Sequence, residues 1–79
     1  MKYIEVIADE ESADTIRAIA EKSKAHDFRL GASDGRGMRQ TRMLVADDRL
    51  QQALDTLQNI LGAQPSARII VLEVETSLP

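Results

Sequence analysis

Phe28-Arg29-Leu30-Gly31-Ala32-Ser33-Asp34-Gly35-Arg36-Gly37-Met38-Arg39-Gln40-Thr41-Arg42-Met43-Leu44-Val45 decides the fold, because it reads as two strands joined by one turn. Phe28, Leu30 and Ala32 alternate with Arg29, Gly31 and Ser33, the two-residue period of a strand. Asp34-Gly35-Arg36-Gly37 is the clearest turn signal in the chain, since Asp-Gly accepts the positive φ that a hairpin needs. The second strand runs from about Met38 to Val45, with Met43 and Val45 on the face opposite Arg42 and Leu44.

Each side of this hairpin carries a helix and then a further strand. Toward the N-terminus, Ala13, Ile16, Ile19, Ala20 and Ser23 fall at three- and four-residue spacings between Ser12 and about Lys24, the buried stripe of an amphipathic helix. Asp9, Glu10 and Glu11 place acid at its start, favourable against the helix dipole. Before them, Tyr3 to Ala8 reads as a strand with Ile4, Val6 and Ala8 on one face and Tyr3, Glu5 and Ile7 on the other. Toward the C-terminus, Leu50, Ala53, Leu54, Leu57, Ile60 and Leu61 form the strongest helical pattern in the chain. Asp47 and Asp48 are candidate N-caps, Asp48 with Gln51 resembles a capping box, and Gly62 and Pro65 close the helix. Ile69 to Val74 is a continuous aliphatic strand.

The order β-α-β-β-α-β predicts an α+β, ferredoxin-like sandwich. Its four-stranded antiparallel sheet would be ordered 4-1-3-2, with both helices on one face. The 79 residues are read as a single domain, 1–79, with no interdomain linker.

Composition narrows the function classes. The absence of cysteine removes disulfides, thiolate catalysis and zinc or iron–sulfur ligation by thiolate, and suits a reducing compartment. One His, one Tyr, one Phe and no Trp leave little catalytic or stacking hardware. Nucleic-acid binding is not expected: the net charge is −3, and the strand from Met38 to Val45 has no aromatic on which a base would stack. No run approaches the length of a membrane span, and the acidic N-terminal stretch is no secretory signal.

Few side chains single themselves out for chemistry. His26 follows the first helix, where a cation meets the helix C-terminus favourably, and it reads as a solvated helix-end histidine. Asp9, Glu10, Glu11 and Asp14 lack the alternating oxygen register and central glycine of a calcium loop. No catalytic, metal-binding or cofactor-binding residue is expected, and no cofactor. The hairpin is different. Residues 28–46 carry Arg29, Arg36, Arg39 and Arg42 against Asp34 alone, a local +3 in a chain whose remainder carries −6. Arg36 and Arg39, nearest the turn, are candidate contacts for an anion, while arginines on an edge hairpin also guard against strand-to-strand aggregation.

The second functional expectation is a partner. With Ile70, Leu72 and Val74 placed under the helices, Tyr3, Ile7, Ile69 and Val71 would face outward on the open side of the sheet. Aliphatics there call for a cover, and a domain this small buries little else, so a homo-oligomer through these residues is expected.

The last stretch, Arg68-Ile69-Ile70-Val71-Leu72-Glu73-Val74-Glu75-Thr76-Ser77-Leu78-Pro79, resembles the end of the soluble N-terminal part of the uncharacterised hydrophobic domain family of bacterial and archaeal multi-pass membrane proteins, classed as a domain of unknown function. There an aliphatic run leads into Val-Glu-x-x-Leu-Pro before transmembrane helices. Tyr3-Ile4-Glu5-Val6-Ile7 and Asp34-Gly35-Arg36 are also similar, while Glu73 stands where that family is expected to carry proline. The resemblance implies a non-catalytic accessory or regulatory domain on the cytoplasmic side of a membrane protein. The membrane region would follow Pro79, and the domain would act through self-association or ligand sensing. The alternative is a free-standing small-ligand-binding protein similar to the amino-acid-sensing ACT domains, which share this element order. Their glycine-containing turn after the first strand is here Ala8-Asp9-Glu10-Glu11, without glycine and acidic.

Overall fold

A computed structural model describes residues 1–75. Strand β1 (Lys2–Asp9) leads through a 3-10 turn (Glu10–Ser12) into helix α1 (Ala13–Lys22). The hairpin β2 (Asp27–Ser33) and β3 (Met38–Val45) follows, then α2 (Asp47–Leu61) and β4 (Arg68–Glu73). All neighbouring strands are antiparallel in the order β2-β3-β1-β4, which is the expected 4-1-3-2 read from the other edge.

The helices cover one face. Ile4, Val6 and Ala8 of β1 and Met43 and Val45 of β3 meet Ile16, Ile19 and Ala20 of α1 and Ala53, Leu57 and Leu61 of α2 in one core. Burying each large aliphatic side chain contributes about 1.5–3 kcal/mol. Leu50 and Leu54 pack at its margin, but Ile60 is 42% exposed. The buried stripe of α2 is Ala53, Leu57 and Leu61, with Leu50 and Leu54 at its edge, and Ile60 lies on the uncovered flank.

The start of α2 also differs from its expected form. The N-cap is Ala46, whose side chain has no oxygen to bond the first turn. The Asp47 carboxylate instead accepts from the Met1 ammonium at 2.9 Å and from Lys2 Nζ at 3.3 Å, tying the first strand to the second helix. These partners hold the Asp47 carboxyl below its ordinary range, and bonds to Glu73 and Asp47 hold the Lys2 ammonium above its own. Gln51 donates to Asp55 rather than completing a box with Asp48.

The hairpin turn forms as its residues dictate. Gly35 and Gly37 take φ of +80° and +87°, the left-handed region, and Asp34 Oδ1 accepts from the backbone N–H groups of Arg36 and Met38. A bulge interrupts the ladder, because Leu30 pairs with Thr41 but Ser33 pairs with Arg39, one residue out of step. Gly31 sits within it: a Cβ there would lie 2.8 Å from the Gln40 carbonyl oxygen, so the close approach admits only glycine.

The register of β4 corrects the expected outer face. Val6 pairs with Ile69 and Ile4 with Val71, so Ile69 and Val71 share the helix-facing side of the sheet, and Ile69 packs against the core. Ile70 and Leu72 take the outward places beside Glu5 and Tyr3. A strand whose apolar residues run without alternation gives no parity, and a slip of one residue exchanges its two faces.

Candidate functional site

Two places gather polar chemistry. The first is the outer sheet face, which no element among the described residues covers. Across its middle, Arg29 stands opposite Arg42, Arg42 opposite Glu5, and Glu5 opposite Ile70. One row along, Asp27, Leu44, Tyr3 and Leu72 lie side by side in the same order. Arg42 donates to Glu5 Oε1 at 3.3 Å, and its guanidinium lies 5.6 Å from the centre of the Tyr3 ring. Arg29 Nε donates to Asp27 Oδ2 at 3.0 Å, a bond that pushes the guanidinium pKa further up. Of the four expected interface residues, Tyr3 and Ile7 do lie here, half-buried, and Ile70 is 37% exposed beside them.

The second place is a cleft of about 500 Å³ where the hairpin tip meets the end of β1 and the α2–β4 loop, lined by residues that include Asp9, Arg36, Gln64 and Ser66. Its walls are fastened by backbone groups where β1 passes into the 3-10 turn ahead of α1. The Glu10 N–H donates to the Gly37 carbonyl at 2.8 Å, and the Asp9 N–H to Gln64 Oε1 at 3.2 Å. Gln64 Nε2 in turn donates to Ser12 Oγ at 2.9 Å. The amides of Asp9 and Glu10 are therefore already bonded, and Glu10, Glu11 and Asp14 add repulsion toward an anion at the helix start. Gln64 is the residue that sequence reading missed: a single glutamine in a loop carries no pattern, and only the fold brings it to Asp9 and Ser12.

The two candidate anion contacts are not brought together. Arg36 lines the cleft, and among the described residues its side chain has no ion-pair or hydrogen-bond partner. Arg39 turns away to the Gly31 carbonyl at 3.0 Å and lies 3.9 Å from Glu10, beside a separate depression lined by Ile7 and Ala32. His26 has an exposed side chain, and its backbone N–H donates to the Leu44 carbonyl at 2.8 Å. The acidic residues near the α1 start form no cluster able to hold a metal ion among the described residues. Of the Val-Glu-x-x-Leu-Pro stretch, residues 76–79 lie outside the described residues. No described helix is long and apolar enough to cross a membrane.

No family model and no curated protein matches the chain in sequence. Solved structures do match its shape. The apo form of CPII from Thiomonas intermedia K12, a nitrogen regulatory PII-like protein, superposes with a TM-score of 0.83 at 12% identity, covering 99% of this chain and 92% of that one. CPII bound to ADP, AMP and acetate gives 0.82 at 12% identity, covering 99% and 89%. A DUF3240 family protein of Shewanella baltica OS155 gives 0.80 at 15% identity, covering 99% and 93%. The match runs over nearly the whole length on both sides, and the chain shares the ferredoxin-like fold of these PII-like proteins.

Proposed function

We propose that this chain is a non-catalytic regulatory module that senses a small ligand and works as a homo-oligomer assembled through its outer sheet face. The observation that carries the reading is that open face, where Tyr3, Ile7, Ile70 and Leu72 lie opposite the helix-covered core. Copies of the chain are the natural cover, because small domains gain much of their buried area by association. The sensing half draws on the shared fold, since CPII in that fold is bound to ADP and AMP with acetate or with bicarbonate. In this chain Arg36 would supply cationic contact at the cleft. One protomer offers no phosphate cradle at the acidic start of α1, so a second copy would complete such a site.

Sedimentation equilibrium tests the assembly. The wild-type chain should associate at micromolar concentration, and Ile70→Lys should sediment as a folded monomer. A wild-type monomer at high micromolar concentration refutes that half. Thermal unfolding with added ADP, AMP and bicarbonate tests the other. A ligand present at ten times its Kd stabilises by ~1.4 kcal/mol, worth roughly 6–11 °C in a domain of this size. Midpoints unmoved by millimolar amounts of all three refute the sensing of these ligands.

A further inference from the structure

We propose that the groove on the outer sheet face between Arg29 and Arg42 is a binding site for a small oxyanion, a carboxylate or a phosphate. The groove is lined by Tyr3, Arg29, Gly31, Gln40, Thr41 and Arg42 and holds about 360 Å³. Its two guanidiniums project from directly opposed positions on β2 and β3, an arrangement that like charges disfavour. Each is steadied by one carboxylate through one nitrogen, Arg29 by Asp27 and Arg42 by Glu5. A guanidinium has donors in a planar fork suited to bidentate contact with an oxyanion, and among the described residues the other nitrogens of both forks are uncommitted. An anion between them would take up those donors and relieve the repulsion.

The surroundings favour this place over the rest of the chain. Gly31, glycine because of its approach to Gln40, leaves the groove open on the β2 side. Tyr3 and Gln40 bring neutral donors to the same groove. Arg29 is 74% exposed, so an anion reaches it directly from solvent. The approach to α1, by contrast, has the Asp9 and Glu10 amides bonded and carries acid at Glu10, Glu11 and Asp14. The site lies apart from the cleft at the hairpin tip and does not rest on the nucleotide reading. It shares Tyr3 and the outer face with the assembly proposed above, so a copy seated there competes with the anion, and the titration is made on the Ile70→Lys chain as well as on the wild type.

The test is a titration of the full chain with sodium phosphate, and separately with sodium acetate, at constant ionic strength set by sodium chloride. It is followed by the arginine Nε–H signals in nitrogen-15 NMR. The expected result is a saturable shift of the Arg29 and Arg42 signals and of the Tyr3 ring protons. Arg29→Gln should weaken the midpoint by about fivefold or more, the loss of one charge-assisted contact, and Arg29→Lys, which keeps charge without the fork, should fall between. Lys22→Gln, an exposed cation at the end of α1, should leave the midpoint unchanged. Saturation by phosphate alone narrows the class to phosphates, and saturation by both anions supports the wider class. Shifts that never saturate with either anion, or saturation at Arg36 that survives Arg29→Gln, would overturn the proposal.

Discussion

Leu57→Ala is the perturbation that most directly tests how the second helix sits on the sheet. Leu57 is fully buried at the centre of the core, between Ala53 and Leu61 on α2 and above the β1–β3 side chains. Truncating a buried leucine removes its transfer energy and leaves a cavity, together ~2–5 kcal/mol. A chain of 79 residues has a total stability of roughly 4–12 kcal/mol at ordinary values per residue, so this loss takes a large share of it. Ile60→Ala is the matched control, since the sequence places Ile60 in the same stripe while the structure leaves it 42% exposed. Its cost should stay below ~1 kcal/mol, because much of the side chain is in water before and after. The assay is urea unfolding followed by circular dichroism, at one fixed protein concentration so that association does not shift the midpoints. With a slope near ~1 kcal/mol per molar urea, Leu57→Ala should lower the midpoint by roughly 2 M or more. Equal drops for the two variants would refute the face assignment of α2.

Two further outcomes follow from polar contacts. The Met1 ammonium and Lys2 lower the pKa of Asp47, so its stabilising contribution is fully present above the ordinary aspartate value of about 3.9 and is lost as pH falls through the lowered folded value. Wild type should therefore exceed Asp47→Asn in urea midpoint at neutral pH, the gap narrowing as the carboxyl becomes protonated in both states; a gap that persists undiminished in strong acid refutes the ion-pair origin. Gln64→Leu should remove both bonds that pin the α2–β4 loop, at ~0.5–1.5 kcal/mol for each hydrogen bond, and speed hydrogen exchange at the Asp9 amide, whereas unchanged exchange there would mean that Gln64 does not fasten the cleft.

What the sequence alone determined is the part governed by local period and turn chemistry. The helical stripes, the alternation of Ile4, Val6 and Ala8 with Tyr3, Glu5 and Ile7, and the glycines at positive φ around Arg36 each report their own segment, and together they gave element order and sheet order. The outer face was legible in β1 and in the second half of β3 for the same reason: Glu5 stands between Ile4 and Val6, and Arg42 alternates with the buried Met43 and Val45. In β4 nothing alternates in this way. Its Ile69-Ile70-Val71-Leu72 run has no polar marker for either face, and only pairing with β1 put Ile69 and Val71 on the helix-facing side, where Val71 on the edge strand stays 41% exposed, and Ile70 and Leu72 on the outer one. The arginines show the same division. The sequence counted four cations on one hairpin, but the bulge at Gly31 and the strand register decided their partners: Arg39 with Gly31 and Glu10, Arg29 opposite Arg42, and Arg36 left at the tip. Gln64 was beyond sequence reading altogether, because its contacts with Asp9 and Ser12 join residues more than fifty positions apart. Side-chain period is a property of one segment, whereas a site is a meeting of several, and that meeting exists only once the chain has packed.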